Sequence, residues 1–169
     1  MPPSHLAPAP VELKPATGRR WPEWMRGLLA RGAPRARVVA PPEVRLGQAI
    51  EIEWGIDCPA GNLASVSVSL VGSEVAHQRI SARTGISIVS HTSVFEVREL
   101  ARAVGQVGVR VAYGRGSGVV PARAVPSFVA RHNEIAWAIL VAADFRAGTS
   151  DREVPQLRES FPLVVRGPA

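Results

Sequence analysis

The stretch DCPAG, residues 57–61, carries the chain's single cysteine between turn residues. A thiolate nucleophile needs a neighbouring histidine or other cation to hold the thiol deprotonated. Nothing in the local sequence supplies one, so Cys58 reads as a bystander in a turn. His77, His91 and His132 lie on three separate elements, with Glu74 close to the first. No pair has the spacing of zinc ligands, so the three read as independent residues unless folding gathers them with Glu74. Glu51 and Glu53 fall on one side of an alternating stretch and could form an acid–base pair, but two carboxylates on a wet sheet face are ordinarily a solvated surface. GRGSG, residues 114–118, lacks the Lys-Ser/Thr of a phosphate loop and reads as a hairpin turn. The sequence therefore predicts no catalytic residue, no cofactor and no metal.

The charge balance narrows the partners. The net charge is +6, and Lys14 is the one lysine among 20 basic residues. Residues 1–34 hold five basic and two acidic groups, a surplus of +3, which leaves +3 for the remaining 135 residues. A basic tail suits an acidic partner or an anionic membrane surface. Nucleic acid is disfavoured, because the body's arginines are scattered and no aromatic residues interleave with them as a stacking platform. One thiol builds no disulfide framework, and no run reaches the ~18 apolar residues of a spanning helix. The first 16 residues lack the charged start and continuous apolar stretch of a secretory signal, so export is not expected. The expected location is the cytoplasm, or its membrane periphery.

The elements that must position any site fall into three parts. Residues 1–16 contain five prolines and are predicted to be a disordered tail. Residues 17–34 are predicted to contain a short basic amphipathic helix. Pro22 suits a first helical turn, Glu23 its positive end, and Gly32 with Pro34 a stop. Trp21, Trp24, Met25 and Leu28 share one face, with Leu29 beside them and Arg20, Arg26 and Arg31 at its flanks.

From Arg35 to the end the apolar period is two. Ile50, Ile52, Trp54 and Ile56 alternate with Glu51, Glu53 and Gly55. Val66, Val68 and Leu70 alternate with Ser65, Ser67 and Ser69. Each pattern is that of a strand with one face in a core and one in water. Val107, Val109, Val111 and Tyr113 are expected on one side of a strand that ends in the glycine turn. In VPSFVARHNEIAWAILVAADF, residues 125–145, Ile135, Trp137, Ile139 and Val141 alternate with Glu134, Ala136, Ala138 and Leu140. Small or apolar residues on that second face predict a strand covered on both sides. A polar loop and the strand SFPLVV close the chain. Seven or more strands with turn signals between them predict an antiparallel β-sandwich over residues 35–169.

Three passages together resemble a single arrestin-like domain, the immunoglobulin-like sandwich of arrestins and their distant bacterial single-domain relatives. VRLGQAIEIEW is similar to the early strand entered through a glycine. SVSLVGSEVA resembles the strand in which a leucine precedes a glycine and the chain turns. The Pro-Ser-aromatic corner before the Trp137 strand, with the later FPLVV, resembles the most specific element of the family. The likeness covers about four-fifths of the chain and departs from two-lobed arrestins by having one lobe.

The resemblance implies a non-enzymatic interaction module, an adaptor or scaffold that engages a protein partner. The alternative is a structural subunit whose tail docks into its neighbours. Within the tail, Trp21, Trp24, Met25, Leu28, Arg20 and Arg26 are the expected contacts with a partner or an anionic membrane. The same apolar face could instead pack on the sandwich as an extra layer.

Overall fold

A computed structural model of the chain describes residues 8–16, 33–82, 85–146 and 156–168. The helix expected within residues 17–34 falls largely on residues 17–32, outside the described residues. The described chain is all β, and its strands form two sheets.

The first sheet has the order β1 (Val11–Glu12), β2 (Arg35–Ala40), β4 (Ala49–Asp57), β7 (Val111–Val119). The second has the order β3 (Glu43–Arg45), β10 (Gln156–Arg166), β9 (Asn133–Phe145), β5 (Leu63–Ala82), β6 (Gly85–Val104). β8 (Phe128–Val129) pairs with the start of β9. Pairing is antiparallel throughout, except that β3 runs parallel to β10.

The alternations locate the core. Val38, Ile50, Ile52, Trp54 and Ile56 from the first sheet and Val66, Val68, Leu70, Trp137, Ile139, Val141, Phe161, Leu163 and Val165 from the second are buried in one cluster. Two half-apolar sheets bury their inner faces against each other, and the hydrophobic contribution is roughly 1.5–3 kcal/mol for each large side chain enclosed. Gly61 and Gly108, both at positive φ (62° and 82°), let two turns cross at the rim, where the Gly108 N–H donates to the Gly61 carbonyl at 2.8 Å.

The Pro-Ser-Phe corner has a defined job. Ser127 N–H donates to the Val165 carbonyl at 2.7 Å, and Ser127 Oγ accepts from the Val165 N–H at 2.9 Å. Both bonds fasten the corner to the last strand, where β10 has left β9 to pair with β3. Two residues upstream, the Val125 carbonyl accepts the Trp137 indole N–H at 2.8 Å. The corner thus ties the aromatic of β9 to the final strand.

Three sequence expectations are corrected. Residues 8–16, expected to lie in a disordered tail, run along the sandwich rim. Val11 and Glu12 pair with Ala40 and Val39, Leu13 is buried, and the Ala16 N–H bonds the Ser160 carbonyl at 2.6 Å. Pro8 and Pro10 are compatible with this because an outermost strand needs no ladder bonds on its free side. GRGSG is not a turn; it is the middle of β7, paired with β4 from Val111 to Val119. Glycine suits its inner positions because a Cβ would meet close neighbours there: one at Gly114 would lie 2.7 Å from the Trp54 ring, and one at Gly116 would lie 2.7 Å from the Leu100 carbonyl oxygen. Val107, Val109, Val111 and Tyr113, expected to form one face of a strand, are all exposed, and β7 begins only at Val111.

Candidate interaction surfaces

The longest elements of the chain make one feature. β5 and β6, twenty residues each, pair from Ser65↔Val104 to Ala82↔Gly85. β9 accompanies β5 only as far as Ala76↔Asn133. The last six residues of β5, 77–82, and the first six of β6, 85–90, therefore project as a two-stranded ribbon, ~20 Å beyond the sheet at the usual rise per residue. His77 Nδ1 bonds Ser90 Oγ across the ribbon at 2.9 Å.

β6 is the border strand of the second sheet. β7 backs onto it at Leu100 and Ala101, where Gly116 leaves room. Along residues 85–95, GISIVSHTSVF, no strand pairs its outer edge among the described residues. That stretch contains no Asp, Glu, Lys, Arg or Pro. Exposed border strands are normally defended by lysines, prolines or inward charges, because their free N–H and C=O groups accept a further strand. β6 carries its charges farther along, as the Arg98–Glu96 and Arg102–Glu99 pairs at 2.9 and 2.7 Å. It does bulge at Phe95, where the register shifts opposite Gly72 and Ser73. The ring turns inward over Gly72 and meets Trp137 edge-on, centroids 5.5 Å apart. Val94 and Val97 remain 58% and 61% exposed.

The outer face of the first sheet holds a second feature. Register places Arg37, Gly55 and Tyr113 in one row across β2, β4 and β7, and Val39, Glu53 and Arg115 in the next. Gly55 leaves a notch between Arg37 and Tyr113, and Tyr113 is 84% exposed. A groove of ≈ 610 Å³ follows that row, and one of ≈ 580 Å³ lies beside Pro10, Glu51 and Ser117. Glu53 pairs with Arg115 at 3.0 Å, with both groups exposed. An ion pair of this kind contributes ~0–1 kcal/mol. Glu51 and Glu53 therefore occupy the solvated sheet face expected of them.

The other residues singled out by type disperse. Cys58 is buried, and its thiol donates to Asn62 Oδ1 at 3.4 Å. The His77 N–H bonds the His132 carbonyl at 2.7 Å, and His91 lies opposite Ala76 in the next strand. The three histidines thus share one end of the sheet, but no group of three or more His, Cys, Asp or Glu among the described residues could hold a metal ion. Glu74 accepts from Asn133 Nδ2 at 3.3 Å. Arg20, Trp21, Trp24, Met25, Arg26 and Leu28 lie outside the described residues. Among the described residues, no helix is long and apolar enough to cross a membrane. The border of β6 escapes sequence reading because the pattern of EVAHQRIS, residues 74–81, does not settle which of its faces is buried. The signal that would have found it is the uncharged run itself.

No protein-family model matches the chain, and no curated protein matches it. Among solved structures, the sporulation control protein Spo0M from Bacillus subtilis is similar with a TM-score of 0.52 and 11% identity. The match covers 79% of this chain and 49% of that one. A DUF4466 family protein from Parabacteroides merdae aligns over 78% of this chain and 45% of its own, with 13% identity and a TM-score of 0.38. The chain thus spans about half the length of each. The likeness to Spo0M is one of fold, an all-β sandwich.

Proposed function

We propose that this chain is a single arrestin-like domain serving as a non-enzymatic protein-interaction module, and that it takes an extended segment of a protein partner onto the border of β6. The observation that carries this reading is the uncharged, unpaired run from Gly85 to Phe95. Strand addition draws affinity from main-chain hydrogen bonds and selectivity from alternate side chains. Val94 and Val97 offer apolar contacts to every second residue of such a partner. The ribbon beyond Ala76 carries the border clear of the sandwich body.

The fold supports an adaptor by analogy, since similar sandwiches host many functions. The buried Cys58 thiol, directed at Asn62, supports a non-enzymatic reading of that residue.

The test is site-specific photocrosslinking from position 92 in cells, followed by identification of the captured segment. Ser90→Lys with Thr92→Lys should abolish capture while leaving the unfolding midpoint nearly unchanged, because both residues are exposed. Tyr113→Ser, on the opposite sheet, should leave capture intact. Capture that survives both lysines would refute the β6 border as the site.

A further inference from the structure

Nothing among the described residues requires a glycine at position 55. Gly55 lies within β4, paired without a bulge to Arg37 of β2 and Tyr113 of β7. Its φ is not positive, and a Cβ added there would touch only the Ala112 carbonyl oxygen, at an ordinary 3.8 Å. Gly114 and Gly116 differ, because close neighbours crowd both. Glycine weakens a strand interior. One that neither backbone conformation nor crowding explains marks a place where something outside approaches the backbone.

The walls of the notch say what approaches. Gly55 lines the ≈ 610 Å³ groove, with the exposed Arg37 and Tyr113 on either side. Those two residues stand two strand spacings apart, ~10 Å. A flat ring held between two planar groups takes up ~7–8 Å, two van der Waals contacts of ~3.5–4 Å. The notch therefore admits one ring once either wall leans slightly inward. Both walls attract an aromatic face, the guanidinium through its charge and the phenol by stacking. Tyr113 is 84% exposed, so its ring does not itself cover the glycine. Arg37 makes no ion pair among the described residues, which leaves its guanidinium for the ring.

The ring belongs to a longer chain. Sites for free small ligands enclose most of the ligand, and this groove lies open on a sheet face. It also continues, because the ≈ 580 Å³ groove beside Pro10, Glu51 and Ser117 shares Val39, Glu53 and Arg115 with it. From Gly55 to Glu51 is four residues of strand, ~14 Å, the span of four residues of an extended segment laid along it. Glu51 is exposed and makes no ion pair among the described residues, so it complements a basic side chain at that distance. An even spacing keeps ring and base on the same side of an extended segment. We propose that the outer face of the first sheet binds an extended protein segment with an aromatic side chain and a basic residue four positions apart. The ring sits over Gly55 between Arg37 and Tyr113, and the base meets Glu51. This site stands apart from the β6 border, because it lies on the other sheet.

Amide NMR titration of the full-length chain with the end-blocked peptide SWSSSKS tests it. Saturable shifts should concentrate at residues 53–57 and 113–115. Replacing the peptide's tryptophan by leucine, or its lysine by glutamate, should weaken binding at least ~5-fold. Gly55→Ala should weaken the parent peptide ~10-fold by raising the floor of the notch, while the thermal midpoint holds or rises. Tyr113→Ser should weaken it similarly. Absence of saturable shifts at ~1 mM peptide would overturn the proposal, as would binding that is indifferent to Gly55→Ala. A lowered midpoint in Gly55→Ala would also overturn it, by showing that the fold itself needs the glycine. N-acetyltryptophan amide binding as tightly as the peptide would overturn the extended segment, and shifts confined to residues 85–95 would overturn this face as the site.

Discussion

The Trp137 indole donates its N–H to the Val125 carbonyl at 2.8 Å, so the side chain that fills the core also anchors the loop leading into its own strand. The indole is 2% exposed, and the Phe95 ring meets it edge-on. Replacing Trp137 by alanine removes packing and hydrogen bond together and should cost ~3–5 kcal/mol in urea unfolding. Trp137→Phe keeps much of the ring volume and loses the donor, so a smaller cost of ~1–2 kcal/mol is expected. If the two variants are equally destabilised, the hydrogen bond rather than the packing dominates.

Trp54 gives the contrasting case. It is 6% exposed, and its indole N–H has no hydrogen-bond partner among the described groups. A buried donor without a partner costs ~1–3 kcal/mol. Trp54→Phe removes that donor while retaining a ring against Gly114, and should therefore be less destabilising than Trp137→Phe. Paired urea curves check the order. A larger loss at position 54 would mean that its ring edge, and not its N–H, sets the packing.

The inward glycines of β7 should differ in their tolerance of a methyl group. A Cβ at position 116 would lie 2.7 Å from the Leu100 carbonyl oxygen and 2.9 Å from the Ala101 Cβ. A Cβ at position 118 would meet only the Leu100 Cδ2, at 2.6 Å, and that methyl can rotate away. Gly116→Ala should thus cost ~1–3 kcal/mol as overpacking against backbone, with Gly118→Ala less affected. Thermal midpoints of the two variants decide it, and equal midpoints would contradict the close approach of β6 and β7.

These glycines also show where the sequence becomes hard to read. β4, the first half of β5 and β9 are legible because each has one face in the core and a different residue class on the other. β7 inverts that pattern. Its inner positions are Ala112, Gly114, Gly116 and Gly118, and its larger side chains, Tyr113 among them, face water. Composition there signals a turn, while the requirement for small residues comes from Trp54 and Leu100, both distant in sequence. Residues 8–16 fail for a related reason: prolines argue against a central strand but say nothing against a rim strand. The β6 border was illegible as a site because its meaning depends on which strands stop beside it. The burial of Trp54 and Trp137, by contrast, follows from alternation alone.

Glu159 offers a pH test of the rim where residues 8–16 and the two sheets meet. Its carboxylate accepts the Ala36 N–H at 3.2 Å. Burial pushes its pKa above the ordinary carboxylate value, and the Ala36 hydrogen bond and the Arg35 charge only partly oppose that. A raised folded-state pKa means that the folded chain binds this proton more tightly than the unfolded chain. The resulting stabilisation is complete in acid, below the unfolded value, and is lost as pH rises through the folded one. Ionising the residue in the folded chain therefore carries a cost. Glu159→Gln keeps an oxygen for the Ala36 N–H and removes the charge, so it should be at least as stable as the parent at pH 7. Its advantage should shrink as the pH is lowered and the parent's carboxyl takes up its proton. Taking the difference between the two unfolding curves at each pH cancels the other carboxylates. A difference that stays constant from neutral pH into the carboxylate range would show that folding leaves the carboxyl's pKa unshifted, and one that grows in acid would show that Ala36 and Arg35 outweigh burial and stabilise the anion.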